Sequence, residues 1–390
     1  MTTTTKLFLY LTLIMTTTIV CQGISPQSLK KIDELCGRLF PENEPGAAVL
    51  IMQKNRIVFD KGYGIADINS RKPIDGDTFF NIASVSKQFT AVAILQLAEQ
   101  GKLSLDDPVS KYYPEFKASF WKDIRIKHLL SHSSGIPDAR KGLTRQQRIY
   151  GDEQLATAYM KDLDYTHFVP GTNYEYINPT YVLLGDIVSK VSGMPFTQYM
   201  EQYVFRPAKM KSTLYFDRNH QDRIPNIAHA YEYGDLSKMG EEHDASAASR
   251  GCKKDWYEYD FGEETFFATR PDGGIYTSTH QFVKWENALR NNKVIGEASL
   301  RLAHTPQTNI SESTFSEYQR RPNTWYGYGW FIEPQTEKSP LKIYHTGDNG
   351  GFKILAARYP QTGTLVLIFA NRTDWDRYAV MGEIEKHLQL

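Results

Sequence analysis

Read for its hydrophobic and polar positions, the chain opens on a short apolar run. It continues through two short strands, one wholly apolar helix, a long mixed middle and a closing group of strands. Residues 1–23 place one cation, Lys6, ahead of Leu7, Phe8, Leu9, Tyr10, Leu11, Leu13, Ile14 and Met15. An apolar run of that length behind a single positive charge is too short to span a bilayer comfortably and reads as a secretory leader, cut near Gly23. Ala47–Met52 and Arg56–Asp60 are apolar runs separated by Gln53, Lys54 and Asn55, the pattern of a hairpin. Residues 84–100 carry the strongest helical signal: Phe89, Ala91, Val92, Ala93, Ile94, Leu95, Leu97 and Ala98 leave almost no polar face, and Gly101 follows as a stop. A helix that is apolar nearly all round is a buried helix.

The middle of the chain, roughly 105–300, reads as helix and loop, with helical patterns at Tyr181–Val191 and Gln281–Leu289. Trp330–Ile332, Lys342–His345, Phe352–Arg358 and Thr364–Phe369 then read as successive strands between Gly, Pro and Asp turns, and a last helix covers about 376–388. Strands at both ends with helices between them predict an α+β fold, in which one antiparallel sheet is built from both termini, flanked by helices, around an inserted and mostly helical region.

Composition narrows the function. With 390 residues, 41% hydrophobic and 23% charged, the chain has the make-up of a globular protein rather than a disordered or fibrous one. Forty-five basic residues balance forty-five acidic ones, so no net field draws in nucleic acid or an anionic membrane. Cys21, Cys36 and Cys252 form no Cys-x-x-Cys pair, which excludes a cysteine zinc site. After leader removal, Cys36 and Cys252 remain and could pair in an exporting compartment; Cys21 offers a lipid anchor, disfavoured by the bulky Val20 before it. The sequence holds no G-x-S-x-G, no H-E-x-x-H, no P-loop and no complete G-x-G-x-x-G. His128 and His132, four apart, could share a metal, but no third ligand accompanies them and a helix-end pair is the simpler reading. No cofactor or metal is expected.

What remains is Ser84-Val85-Ser86-Lys87. A serine hydroxyl needs a base beside it, and on a helix positions i and i+3 share a face, so Lys87 can reach Ser84. Burial lowers a lysine's pKa and makes the neutral amine available as that base. Ser-x-x-Lys occurs four times here, at Ser28, Ser84, Ser119 and Ser339, and only the one at Ser84 opens a buried helix. Its position also suits an ordinary N-cap. Tyr176-Ile177-Asn178 supplies a phenol able to relay a proton and an amide able to bind another amide, although an Asn-Pro turn before a helix explains the same residues. His345-Thr346-Gly347, ending a strand, lets a substrate lie against the strand edge, and a backbone N–H there can join that of Ser84 around an oxyanion. A Gly-rich hairpin turn is the plainer reading.

Together and in this order, the three features resemble the serine β-lactamase and penicillin-binding protein superfamily, in its class C-like branch of β-lactamases, D-aminopeptidases, D-Ala-D-Ala carboxypeptidases and esterases. The stretches Phe80–Ala91, Gly101–Val109, His128–Pro137, Asp272–Ser278 and Tyr326–Trp330 are similar to the same branch, and the likeness runs from about residue 30 to 388. The resemblance implies a β-lactamase/transpeptidase-like fold over residues 24–390, with Ser84 as acylated nucleophile, Lys87 as its base and Tyr176 as proton relay. It further implies substrate contacts from Asn178, His345, Thr346 and Gly347, and an oxyanion hole from the N–H groups of Ser84 and Asp348.

One departure bears on substrate. Many members carry Lys-Thr-Gly where this chain has His345-Thr346-Gly347, and a histidine with an ordinary pKa of about 6.5 is mostly neutral at pH 7. Binding of a substrate carboxylate is weakened, and an ester or neutral amide gains. The expectation is an exported serine hydrolase, periplasmic or secreted, acting on a small-molecule or peptide substrate, with no nucleic-acid partner and no stable membrane insertion beyond the leader. A catalytically idle binder of cell-wall peptides and an acyltransferase using the same acyl-enzyme are the alternatives. Residues 229–265, rich in Tyr, Asp, Glu and Lys, are either a lid or a solvated loop; Asn309 and Asn371 begin glycosylation sequons.

Overall fold

The computed structural model describes residues 24–139, 143–144, 147, 153–215, 224, 226–234, 256–259, 270–315 and 321–390. The expected leader and Cys21 and Cys252 lie outside them. Cys36 is buried with a free thiol, and its pKa is pushed up to about 12 by burial, with the nearby Asp33 adding to the shift.

Eight strands form the main sheet: β1 (Ala47–Gln53), β2 (Arg56–Tyr63), β3 (Thr308–Asn309), β4 (Trp325–Tyr326), β5 (Phe331–Glu333), β6 (Lys342–Asn349), β7 (Phe352–Tyr359) and β8 (Thr364–Ala370). Their order is β3-β4-β5-β6-β7-β8-β1-β2, with every neighbouring pair antiparallel. The termini meet at the β1–β8 seam, where Ala48 faces Phe369 and Leu50 faces Leu367. The expected α+β sheet built from both ends is therefore what forms. The hairpin turns at Lys54 and Asn55, both at positive φ (50° and 64°), the conformation of a two-residue turn that matches strand twist.

Alternation along the central strands sorts side chains onto two faces. Ala48, Leu50 and Met52 of β1, with Leu365, Leu367 and Phe369 of β8, join the core that holds the helices α2 (Lys87–Glu99), α3 (Pro179–Ser192) and α4 (Thr279–Arg290). Val49, Ile51, Val366 and Ile368 face the opposite core, with Ile32 and Cys36 of α1 (Pro26–Leu39) and Val380 and Ile384 of α5 (Arg377–Leu388). Both faces are covered, so these strands read as continuous apolar runs. The outer helices start on side-chain caps: Ser25 Oγ accepts Ser28 N–H, and Asp376 accepts the N–H groups of Tyr378 and Ala379.

α2 is the interior helix that its composition predicts: Lys87 through Leu97 are all buried. Its polar side chains are satisfied inside the protein. Gln88 Oε1 accepts Trp285 Nε1–H at 2.8 Å, Thr90 Oγ1 donates to Pro271 O at 2.6 Å, and Gln96 Nε2 donates to Val294 O at 2.7 Å. Ala83–Ser86 form a 3₁₀ turn before α2, so the regular helix begins at Lys87 rather than at Ser84.

Several elements differ from expectation. β3 and β4 have two residues each and leave no periodicity to read, while β6 runs on to Asn349 through residues that look like a turn. The middle region contains short strands as well as helices, at Leu214–Tyr215, Tyr231–Tyr233, Trp256–Glu258 and Ile275–Thr277. Tyr231–Tyr233 pairs with Trp256–Glu258, and this ribbon docks on the β6–β7 turn, where Gly351 N–H donates to Tyr259 O at 3.0 Å. Tyr231, Trp256, Tyr257 and Glu258 are buried while Tyr233 is exposed, so the described ends of the 229–265 segment are partly packed; 235–255 and 260–269 lie outside the described residues. Asn371 is also buried: Oδ1 accepts Gly46 N–H at 2.7 Å and Nδ2 donates to Ile65 O, Ala66 O and His229 O, which closes that sequon in the folded chain.

Candidate active site

The nucleophile candidate sits on a strained turn. Ala83, fully buried, has φ +45°, in the left-handed region that a residue with a Cβ enters at a cost of about 1–2 kcal/mol. Asn81 Oδ1 accepts Ala83 N–H at 2.7 Å and Ser86 Oγ accepts Ile275 N–H at 3.2 Å, so side chains on either side pin the turn. Ser84 does not act as a cap: α2 has Ser86 at its N-cap position, whose side chain makes no capping bond, and Ser84 Oγ instead lies 3.0 Å from Lys87 Nζ.

Lys87 is fully buried, and its Nζ also donates to Asp272 O at 2.9 Å. The ammonium position lies 5.0 Å from the centroid of the Tyr176 ring and 5.7 Å from that of Tyr181. The amine is thus aimed by a backbone carbonyl and walled by two phenols, beside the Ser84 hydroxyl. The Asp272 segment is itself fixed to α2 through the Thr90–Pro271 bond.

Tyr176 and Asn178 precede α3 and are half-buried. Asn178 holds the N-cap position of α3, yet its side chain makes no capping bond, and its buried Oδ1 has no hydrogen-bond partner among the described residues. The reading of a plain Asn-Pro turn accounts for the backbone but leaves that amide unexplained.

The third feature lies on the sheet edge. β5 pairs only with Lys342–Tyr344 of β6, and among the described residues no strand pairs with the rest of β6 on that side. The Ser84 turn approaches this edge so closely that a Cβ on Gly347 would sit 2.4 Å from Ile82 O and 3.0 Å from Ala83 Cβ. Glycine is required there by close approach. Thr346 is fully buried, and the Asp348 side chain is half exposed and paired with Arg377 of α5, whose guanidinium also donates to Gly347 O and Ile354 O.

His345 occupies the position of the expected lysine, but as an enclosed and neutral ring. It is fully buried, and its Nδ1 lies 2.6 Å from Thr346 O, an acceptor, which places the proton on Nδ1 and leaves Nε2 to accept from Tyr326 Oη at 3.0 Å. Burial, reinforced by Lys87, pushes its pKa down to about 3 against the upward pull of Thr346 O, and Arg377 adds to the fall. Its ring centroid is 6.3 Å from that of Tyr176. Ser84, Lys87, Tyr176, His345 and Gly347 are thus gathered around one point from the start of α2, the segment before α3 and the open edge of β6.

Three participants were not singled out from sequence as members of this site. The Asp272 carbonyl is a backbone group with no side-chain signature. Tyr326 and His132 belong to motifs, but their roles depend on contacts distant in sequence. His128 and His132 are not a metal pair: His128 Nδ1 accepts Arg125 N–H at 3.2 Å, while His132 lies fully buried against Tyr176, with ring centroids 4.3 Å apart. Among the described residues, no group of three or more His, Cys, Asp or Glu side chains is placed to hold a metal.

The family model "Beta-lactamase" matches residues 38–389, nearly the whole described chain. The chain belongs to the beta-lactamase family. It is 25% identical over 358 residues to Penicillin-binding protein 4* of Bacillus subtilis (strain 168), across 90% of this chain and 73% of that protein. It is 28% identical over 333 residues to Protein flp of Staphylococcus aureus (strain MW2), across 84% of this chain but only 59% of that one, so the chain spans less than two thirds of that relative. Among solved structures, the D-amino acid amidase of Ochrobactrum anthropi SV3 superposes with a TM-score of 0.73 at 20% identity, covering 93% of this chain and 98% of the amidase. EstCE1, a hydrolase with promiscuous acyltransferase activity, gives the same TM-score, identity and coverage. These likenesses establish the β-lactamase/transpeptidase-like α+β fold and the serine β-lactamase and penicillin-binding protein superfamily, to which the expectations from sequence had pointed.

Proposed function

We propose that this protein is an exported serine hydrolase that cleaves a neutral ester or amide through an acyl-Ser84 intermediate. The observation that carries the reading is the 3.0 Å contact between Lys87 Nζ and Ser84 Oγ at a buried helix start, with the amine steered by Asp272 O. In the acylation step Lys87, as the neutral amine, takes the hydroxyl proton while Ser84 Oγ bonds to the substrate carbonyl carbon. The carbonyl oxygen then carries the negative charge and is received by the N–H groups of Ser84 and Asp348. Tyr176 passes the proton to the departing alcohol or amine, whose bond to the carbonyl carbon breaks. Asn178 binds the amide of the acyl portion, and Thr346 and Gly347 line its path. Water then releases the acid and regenerates Ser84.

The enclosed His345 bears on substrate. A neutral imidazole whose two nitrogens are both engaged offers no charge to a carboxylate, which favours neutral esters and amides over β-lactams and peptide C-termini. Export is supported by the leader pattern of residues 1–23; among the described residues no helix is long and apolar enough to cross a membrane.

The test is burst kinetics on a panel of p-nitrophenyl esters, D-amino-acid anilides, D-Ala-D-Ala peptides and nitrocefin, with Ser84→Ala as control. A burst with neutral esters or anilides that disappears in Ser84→Ala supports the reading. No burst with any substrate would make the chain an idle binder, and transfer to an added alcohol in preference to water would make it an acyltransferase.

A further inference from the structure

The Ser131-His132-Ser133-Ser134-Gly135 segment leaves the short helix Ile126–Leu130 with His132 at φ +54°. This is the left-handed region, uncommon for any residue with a Cβ, and here it turns the backbone so that a fully buried imidazole faces the segment before α3. His132 meets that segment three times. Its carbonyl accepts Glu175 N–H at 3.0 Å, its Nδ1 accepts Ile177 N–H at 3.3 Å, and its ring lies 4.3 Å from that of Tyr176, tilted by 36°. Thr180 Oγ1 is 3.4 Å from the same Nδ1 but spends its proton on Ile177 O at 2.7 Å. Nδ1 is therefore an unprotonated acceptor and the ring proton sits on Nε2. Burial holds the pKa well below 6.5, and Lys87 and His345 push it the same way, so the acceptor survives at neutral pH.

Resting on the acyl-Ser84 reading, we propose that His132 is a positioning residue that brackets Tyr176 and so sets the phenol and the Asn178 amide against Lys87. Residues 175 and 177 are both bonded to it, so the backbone that carries the tyrosine between them is held on both sides. Nothing in this role requires His132 to touch substrate.

The test compares three variants. His132→Asn places Oδ1 where Nδ1 lies and tolerates the left-handed backbone; His132→Gln places its amide where Nε2 lies; His132→Ala removes both. Steady-state rates with a p-nitrophenyl ester are normalised to Ser84 titrated with a fluorophosphonate. We expect His132→Gln and His132→Ala to lower kcat by about 10- to 100-fold with KM changed by less than about threefold, and His132→Asn to stay within about threefold of wild type. Equal kcat for the Asn and Gln variants, or a loss carried by KM, overturns the proposal. If the alanine variant does not fold, the comparison of Asn with Gln decides. Wild-type protein without titratable Ser84 overturns both readings, whereas titratable Ser84 with unchanged variant rates overturns the His132 role alone.

Discussion

At the scale of single residues, the site is a problem of aiming a buried amine. Lys87 has a hydroxyl at 3.0 Å and a carbonyl at 2.9 Å, and these two acceptors fix where its Nζ sits. Lys87→Ala should lower the acylation rate by about 10²–10⁴-fold, measured as the ester burst, and an unchanged burst would remove Lys87 as the base. Tyr176→Phe is a gentler probe, because it keeps the ring beside His132 and Lys87 and removes only the phenol oxygen. It should lower kcat by about 10²-fold or more while leaving the melting temperature within about 2 °C, and a wild-type kcat would dismiss the proton-relay role. Ser84 and Lys87 could be read from sequence because i, i+3 spacing on a helix is a local property. Asp272 and His132 could not, since one contributes a backbone carbonyl and the other a contact with a segment more than forty residues away.

At the scale of elements, the site exists because a turn and a strand edge meet without room for a side chain. Gly347→Ala would set a methyl 2.4 Å from Ile82 O, so the turn bearing Ser84 must move away from β6. The expected result is destabilisation of about 1–3 kcal/mol with a larger loss in acylation than in stability, read from denaturant midpoints alongside the burst. Equal activity and stability would mean the turn is not held against the edge. The same meeting explains what could be read from sequence. β1, β7, β8 and α2 announce themselves because burial on both faces makes apolar runs, whereas β2, an edge strand with most of its residues exposed or half-buried, is read from its place after the Lys54-Asn55 turn. The far end of β6, from Thr346 to Asn349, reads as a turn because Thr, Gly, Asp and Asn make no apolar run there. β3 and β4 are set by tertiary pairing alone, and two residues carry no period.

For the whole molecule, the histidines couple stability to acidity. Burial holds His345 down to about 3, with Lys87 contributing, and holds His128 down to about 4, with Lys127 and Arg125 contributing; His132 and His304 are likewise lowered by burial. A histidine with a folded pKa below its unfolded value of about 6.5 binds its proton preferentially in the unfolded chain, so its contribution is present above that value and is lost as pH falls toward the folded pKa. His280 runs the other way: bonds to Asp60 and Asp77 raise it against the effect of partial burial, but it is about one third exposed and its weight is smaller. Four lowered groups against one raised group predict that the urea midpoint falls between about pH 7 and pH 4, less steeply in His345→Gln. A flat profile would contradict the neutral, buried state of these rings. The measurement that bears most directly on the account is intact-mass and peptide-mapping spectrometry of the protein quenched during turnover of a p-nitrophenyl ester. The account predicts a single acyl adduct on the peptide containing Ser84, absent from Ser84→Ala; an adduct on another residue, or one that persists in that variant, would contradict it.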